Sequence, residues 1–277
     1  MSKVESYAPG TPCWVDLACK DIEASASFYA GLLGWQAGEM PSSAEMGGYR
    51  RATFEGDDVA GLMPQMQPGQ PQMWNTYVSV EDAVATAARV SELGGAVLAP
   101  PMDVMDLGRM AVFTDPSGAV FGVWQPGTFF GATRVNGAGA LCWNELGTRD
   151  VEGAKAFYGG LFGWTVAEHK VQRTEGGPGP EAYIEWQLGG NPIGGMMDIA
   201  GMLPDEVPAH WLVYFGVEDC DAAVEKVKAA GGEVRFGPVD IDAGRFAVVT
   251  EPSTERPDHI CSSAWPFGHL RCLHRAD

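Results

Sequence analysis

Two short segments carry the residues best suited to chemistry. Trp14-Val15-Asp16-Leu17 places a carboxylate two residues after an indole, and Trp143-Asn144-Glu145-Leu146 does the same later in the chain. Asp16 and Glu145 are the candidate catalytic groups. Each could hold a ligand ammonium, or act as a general base if burial raises its pKa. Each could also be a strut that ties down a neighbouring loop. Arg109 and Arg245 each follow a glycine. They are the natural partners for those carboxylates, in a structural salt bridge or around a substrate anion.

Strand parity sorts the neighbours of these residues. In Trp14-Val15-Asp16-Leu17-Ala18, Val15 and Leu17 belong on the helix-packed face, so Trp14 and Asp16 take the concave face. The same rule places Asn75 and Tyr77 on that face, together with Val120, Gly122 and Trp124. In the later segment the inward set is Trp143, Glu145, Met197, Leu212 and Tyr214, and Trp211 adjoins it. The expected ligand-binding residues are therefore Trp14, Asn75, Tyr77, Arg109, Trp124, Trp143, Trp211, Tyr214 and Arg245. Aromatic walls of this kind stack on flat ligands and attract cations.

The elements that position these residues occur twice. Cys13-Trp14-Val15-Asp16-Leu17 matches Cys142-Trp143-Asn144-Glu145-Leu146, and Phe28-Tyr29…Gly34-Trp35 matches Phe157-Tyr158…Gly163-Trp164. The offset is 129 residues in both cases. Val80-Glu81-Asp82 matches Val217-Glu218-Asp219, and Gly94-Gly95 matches Gly231-Gly232, now at an offset of 137, so the second copy carries an insertion. Within each copy a weaker repeat of strand and helix start appears, from Trp14 to Asp21 and again from Asn75 to Asp82. Asp21 and Asp82 are good helix N-caps, and Gly34 a good stop. Asp115-Pro116-Ser117-Gly118 has turn chemistry between two strands. The fold class is α+β, with each copy built from two strand–helix–strand units and the copies expected to pair within one chain. Gly- and Ala-rich residues 132–139 form the expected joint.

A Trp-x-Asp/Glu-Leu strand, a helix ending Phe-Tyr-x-x-Leu-x-Gly-Trp and a late Asp-Pro-x-Gly turn resemble the glyoxalase/bleomycin-resistance (vicinal oxygen chelate) superfamily, in the tandem two-domain form of actinobacteria. The resemblance covers about residues 8–127 and 136–252. It implies paired βαβββ units forming a curved mixed sheet around a pocket. The domains expected are residues 8–127 and 136–265, followed by a tail at 266–277. The superfamily hosts lyases, dioxygenases, isomerases and drug-binding proteins, so the resemblance speaks to fold more than to function. Some actinobacterial tandem members are linked to making or resisting aromatic natural products.

Metal-dependent members of that superfamily place His and Glu ligands on four pocket-facing strands. Carried over by motif, those positions fall on Trp14, Asn75, Gly61 and Gly122 in the first copy, and on Trp143, Leu212 and Gly195 in the second. None is a His or a carboxylate. The five histidines are His169, His210, His259, His269 and His274, so the first copy contains none. No metal and no other cofactor is expected. Gly176-Gly177-Pro178-Gly179-Pro180 lacks the Lys-Ser/Thr of a phosphate loop and reads as a surface loop.

The end of the second copy departs from the pattern. Glu251-Pro252-Ser253 begins like the first copy's turn, but residues 254–259 make a poor strand, as a shifted reading frame would produce. Residues 254–277 hold three of the five histidines and two of the six cysteines. The sequence therefore predicts an incomplete second sheet.

Composition bounds the rest. The 277 residues suit two domains, and an apolar share of 45% supports real cores. A net charge of −18 argues against a nucleic-acid partner and favours cationic small molecules. No apolar run spans a membrane, no signal region opens the chain, and no CxxC is present. The sequence thus predicts a cytoplasmic monomer or homodimer with reduced cysteines. It would bind or help modify an aromatic, cationic natural product without a metal, either beside a partner oxygenase or by sequestration. A metal-dependent lyase or dioxygenase and a non-catalytic interaction module are the alternatives.

Overall fold

The computed structural model describes residues 2–38, 47–65, 69–170, 182–241, 244–252 and 259–263. The Gly176–Pro180 loop and the 266–277 tail lie outside them. After β1 (Ser2–Lys3), the first domain contains β2 (Pro12–Cys19), α1 (Ile22–Leu33), β3 (Arg50–Phe54), β4 (Asp57–Pro64), β5 (Met73–Ser79), α2 (Ala83–Glu92), β6 (Ala96–Val104), β7 (Gly108–Thr114) and β8 (Val120–Pro126). After β9 (Arg134–Val135) the second contains β10 (Leu141–Thr148), α3 (Val151–Phe162), β11 (Thr165–Lys170), β12 (Ala182–Leu188), β13 (Asn191–Asp198), β14 (His210–Val217), α4 (Cys220–Ala229), β15 (Glu233–Ile241), β16 (Gly244–Thr250) and β17 (His259–Ser263).

Local chemistry sets the helices. Asp21, Asp82, Asp150 and Asp219 cap their N-termini by accepting from backbone N–H groups one turn in. Gly34 (φ 77°) and Gly163 (φ 72°) end α1 and α3 in the left-handed conformation that glycine reaches without strain.

The strand order β3-β4-β2-β5-β8-β7-β6 makes a seven-stranded sheet; β11-β12-β13-β10-β14-β17-β16-β15 repeats it with one more strand, and β9, paired with β10 and with β1, brings the second sheet to ten. At each centre the first strands of two units run antiparallel, β2 with β5 and β10 with β14. Each is flanked by a parallel neighbour from its own unit. The second sheet is closed: the backbone of β17 pairs with β14 and β16, the place that β8 holds in the first domain. This corrects the expectation of an incomplete sheet. A gap between two strands with free backbone N–H and C=O groups can be filled by almost any extended segment, because the ladder uses no side chains.

The convex faces of the two sheets pack back to back. Strands β5 and β14 meet at the middle, α1 and α4 flank them on one side and α2 and α3 on the other. Thr76 Oγ1 donates to Asn144 Oδ1 across this seam, 2.8 Å away and fully buried. The repeated Phe-Tyr…Gly-Trp motif builds the seam. Tyr29 stacks on Trp35 and Tyr158 on Trp164, while the two indoles donate to the Gly139 and Gly10 carbonyls at 2.7 Å. Tyr158 Oη donates to Asp115 Oδ2 of the other domain (3.1 Å) and accepts from Trp211 Nε1 (3.0 Å). Tyr158→Phe strands both buried partners, so chemical denaturation should show a loss of about 2 kcal/mol. A loss below about 0.5 kcal/mol would show that the hydroxyl does not bind the domains together.

Cys13, Cys19, Cys142 and Cys220 form no disulfide among the described residues. No helix among the described residues is long and apolar enough to cross a membrane.

Candidate functional site

Each domain carries a cup on its concave face, centred on the predicted carboxylate. Register explains the grouping. In the first domain Trp14 lies opposite Tyr77, Asp16 opposite Asn75 and Gly61, and Tyr77 opposite Gly122. In the second, Trp143 lies opposite Tyr214, and Glu145 opposite Leu212 and Gly195. Paired residues on neighbouring strands project to the same side, so these sets converge.

In the first cup Asp16 is 4% exposed and accepts from Asn75 Nδ2 at 2.9 Å. The hydroxyls of Tyr77 and Tyr49 also hydrogen-bond it. Trp14 Nε1 donates to Tyr49 Oη at 2.8 Å, which orients that hydroxyl. In the second cup Glu145, equally buried, accepts from Tyr214 Oη at 2.7 Å and from Tyr183. Trp143 Nε1 donates to Tyr183 Oη at 2.7 Å. The same unit, indole to tyrosine to carboxylate to tyrosine, is thus built twice.

Burial pushes the Asp16 carboxyl up to about 6, against the lowering effect of its three hydrogen bonds, and it raises Glu145 for the same reason. The four tyrosine hydroxyls are driven well above 10, first by burial and then by the adjacent carboxylates. They are neutral donors throughout the physiological range. A buried carboxyl near 6 is ionised at neutral pH yet still basic enough to take a proton.

This ionisation has a consequence for stability. The folded protein holds the Asp16 proton more tightly than the unfolded chain, whose aspartates titrate near ~3.9. The favourable contribution is therefore full below about pH 4 and is lost as pH rises through about 6. Between pH 4 and 7 wild type should lose on the order of 2–3 kcal/mol relative to Asp16→Asn in denaturant titrations. Parallel pH profiles for the two proteins would contradict the raised value.

Tyr49 and Tyr183 were not among the residues expected from sequence. They sit at an offset of 134, the same as Gly61 to Gly195 and intermediate between the two offsets of the obvious motifs. Aligning the glycines would have found them. A Cβ at Gly61 would overlap Tyr49 Oη, one at Gly195 would overlap Tyr183 Oη, and one at Gly122 would overlap the Tyr77 ring. The tyrosines thus occupy the space that side chains at these glycines would need.

Three expectations are corrected. Arg109 does not reach Asp16: it pairs with Asp103 across the β6–β7 hairpin at 2.7 Å, on the surface. Arg245 likewise leaves Glu145 and pairs with Asp221 and Asp240. Trp211 points to the opposite side of β14 from Leu212 and Tyr214 and packs in the core with Trp164 and Trp186. Trp124 does line the first cup, but its Nε1 donates to the Phe129 carbonyl at 2.8 Å.

Phe129 covers that cup. Its ring meets Trp14 edge-on at 4.9 Å and lies 5.9 Å from Trp124, while the Arg51 guanidinium sits 5.4 Å over its face. A phenyl ring from the chain itself thus occupies a box of two indoles and one guanidinium.

The residues do not fit a divalent metal. The first cup offers one carboxylate and neutral tyrosines; the second adds buried Glu185, opposite Gly195 on the same side as Glu145, where it accepts from Gln187 and faces His169 Nε2 at 3.6 Å. Glycine, asparagine, leucine or tryptophan stands at the positions where the superfamily resemblance would place ligands. Among the described residues no group of three or more His, Cys, Asp or Glu could hold a metal ion.

The model of the Glyoxalase/Bleomycin resistance protein/Dioxygenase superfamily matches residues 12–123 and again 141–256. The chain belongs to this superfamily. Among its relatives are glyoxylase-named CFP32 of Mycobacterium tuberculosis, 42% identical over 257 residues (91% of this chain, 95% of CFP32). Another is the anthracycline biosynthesis protein DnrV of Streptomyces peucetius, 37% identical over 260 residues (89% of this chain, 91% of DnrV). Solved structures share the fold. The Mn(II)-bound glyoxalase of Novosphingobium aromaticivorans superposes with a TM-score of 0.62 at 16% identity, covering 93% of this chain and 83% of that one. The 2,3-dioxygenase LapB of a Pseudomonas species gives 0.61 at 14%, covering 95% and 96%.

Proposed function

We propose that this superfamily member binds a flat aromatic small molecule with a cationic group, and holds or helps modify it by proton transfer without a metal. The observation that carries this reading is the twice-built Trp–Tyr–carboxylate–Tyr unit, set where a metal-dependent relative would need ligands. A carboxylate ionised at neutral pH accepts an ammonium or a proton. The indole and guanidinium box around Phe129 accepts a planar ring, which a ligand would take over by displacing that side chain. The net charge of −18 draws cations towards the chain.

The names of two relatives support this ligand class. DauV and DnrV carry names in anthracycline biosynthesis and align over 89% of this chain. Anthracyclines combine a planar quinone ring system with an amino sugar, matching the box and the carboxylate. The role is that of an accessory to oxidative tailoring, alongside an oxygenase, or of a sequestering protein. Titration of the protein with a panel of flat cationic polyketides, followed by ligand fluorescence, tests the reading. At least one member should bind with submicromolar affinity. Micromolar or weaker affinity across the whole panel would sink it.

A further inference from the structure

The two cups differ at one position of matching register. Arg51 lies opposite Gly61, which lies opposite Asp16; Glu185 lies opposite Gly195, which lies opposite Glu145. Paired residues project to the same side, so Arg51 and Glu185 both belong to the concave faces. They stand 134 residues apart, as Tyr49 and Tyr183 do. A guanidinium in the first cup thus stands where the second carries a carboxylate. The tyrosines beside them record the opposite signs. Burial and then the central carboxylate raise both hydroxyls, but Arg51 draws Tyr49 down, while Glu185 pushes Tyr183 further up.

The partners differ as well. Arg51 pairs with Asp58 at 2.9 Å and lies over the Phe129 ring. Glu185 is buried; one oxygen accepts from Gln187 Nε2 at 2.8 Å and the other is 3.6 Å from His169 Nε2. Two carboxylates gathered in one buried cup repel each other and each loses hydration. Their placement on one face therefore favours an occupant that is positive at two points. In the first cup Arg51 opposes a second cation.

We infer that Glu185 and Arg51 sort ligands by charge: the second cup takes an aromatic ligand with two cationic nitrogens, and the first takes one with a single cationic nitrogen. On the reading of both cups as amine sites, Glu145 holds one ammonium of such a ligand, as Asp16 does in the first cup. Glu185 holds the other. Hydrogen bonds between charged groups are about twice as strong as neutral ones, so this second anchor discriminates strongly.

The test is a calorimetric titration of the full-length protein with two anthraquinones, one bearing a single aminoalkyl chain and the other two. It is run at pH 8, where Asp16, with its value of about 6, is ionised. Asp16→Asn weakens the first cup and isolates the second; Glu145→Gln with Glu185→Gln isolates the first. In Asp16→Asn the diamine should bind at least about tenfold tighter than the monoamine. Adding Glu185→Gln, which keeps an acceptor for Gln187, should bring that ratio below about threefold while the monoamine affinity changes less than about threefold. With only the first cup intact the ratio should also stay below about threefold, and adding Arg51→Gln should raise it. Both cups share the chain's net charge of −18, so general attraction of dications does not produce this difference. Equal binding of the two anthraquinones in Asp16→Asn, or a preference that survives Glu185→Gln, would overturn the inference and leave the amine reading standing. Failure of both anthraquinones to bind wild type would sink that reading, and the inference with it.

Discussion

Gly61→Ala is expected to destabilise the protein by on the order of 3 kcal/mol. The added methyl would overlap Tyr49 Oη and come within 2.9 Å of Asp16 Cβ. Tyr49 has no cheap retreat, because its hydroxyl accepts from Trp14 and hydrogen-bonds Asp16. Moving it leaves a buried indole N–H and a buried carboxylate short of partners, beyond the cost of overpacking. The cause can be isolated by a double-mutant cycle. Tyr49→Ala removes the overlapping group, so Gly61→Ala should cost at least about 1 kcal/mol less in that background. Gly195→Ala should behave like Gly61→Ala, through Tyr183. Urea unfolding reads all of these. A Gly61→Ala protein within about 0.5 kcal/mol of wild type would mean that Tyr49 does not fill the cup.

The second large effect concerns charge. Asp16→Asn and Glu145→Gln keep the size of each side chain and remove its charge. Hydrogen bonds to a charged group are worth about 1.5–3 kcal/mol, so each variant should lose about 10- to 100-fold in affinity for an aromatic amine at its own cup. The uncharged aglycone of the same ligand should lose less than about threefold, because ring stacking is untouched. Equal losses for amine and aglycone would show that the carboxylates support the cup and do not meet the ligand's cation.

Much of this site was legible in the sequence, because strand parity and repetition are strong constraints. Alternation along Trp14–Leu17 placed Asp16 inward, and the repeat placed Glu145 at the equivalent position of the second domain. Where the reading failed, the cause is physical. The arginines look paired with the carboxylates because all recur in both copies. The β6–β7 and β15–β16 hairpins instead carry Arg109 and Arg245 to the outer edges of the sheets, beside acidic neighbours. Trp211 precedes an inward residue and so faces the other way, as parity itself requires. Tyr49 and Tyr183 were hidden because the connections before β3 and β12 differ in length, which shifts their register relative to the conspicuous motifs. The closing strand β17 was unreadable from side-chain pattern because the surrounding backbone, not its composition, gives it a place.

The Phe-Tyr…Gly-Trp motif is the more instructive case. Its aromatic residues could line a pocket as readily as a core. Topology decides, since they rise from the helix side of the sheets and meet between the domains. The proposed function therefore rests on the concave residues, where the sequence is less conspicuous and hydrogen-bonded tyrosines fill the space that side chains at Gly61 and Gly195 would need.

The most direct test of the metal-free reading is to measure bound metal together with affinity for the tightest polyketide of the panel, before and after treatment with a chelator. Substoichiometric metal and an affinity unchanged by chelation are predicted. Stoichiometric metal, whose removal abolishes binding and whose return as Mn(II) restores it, would contradict the account.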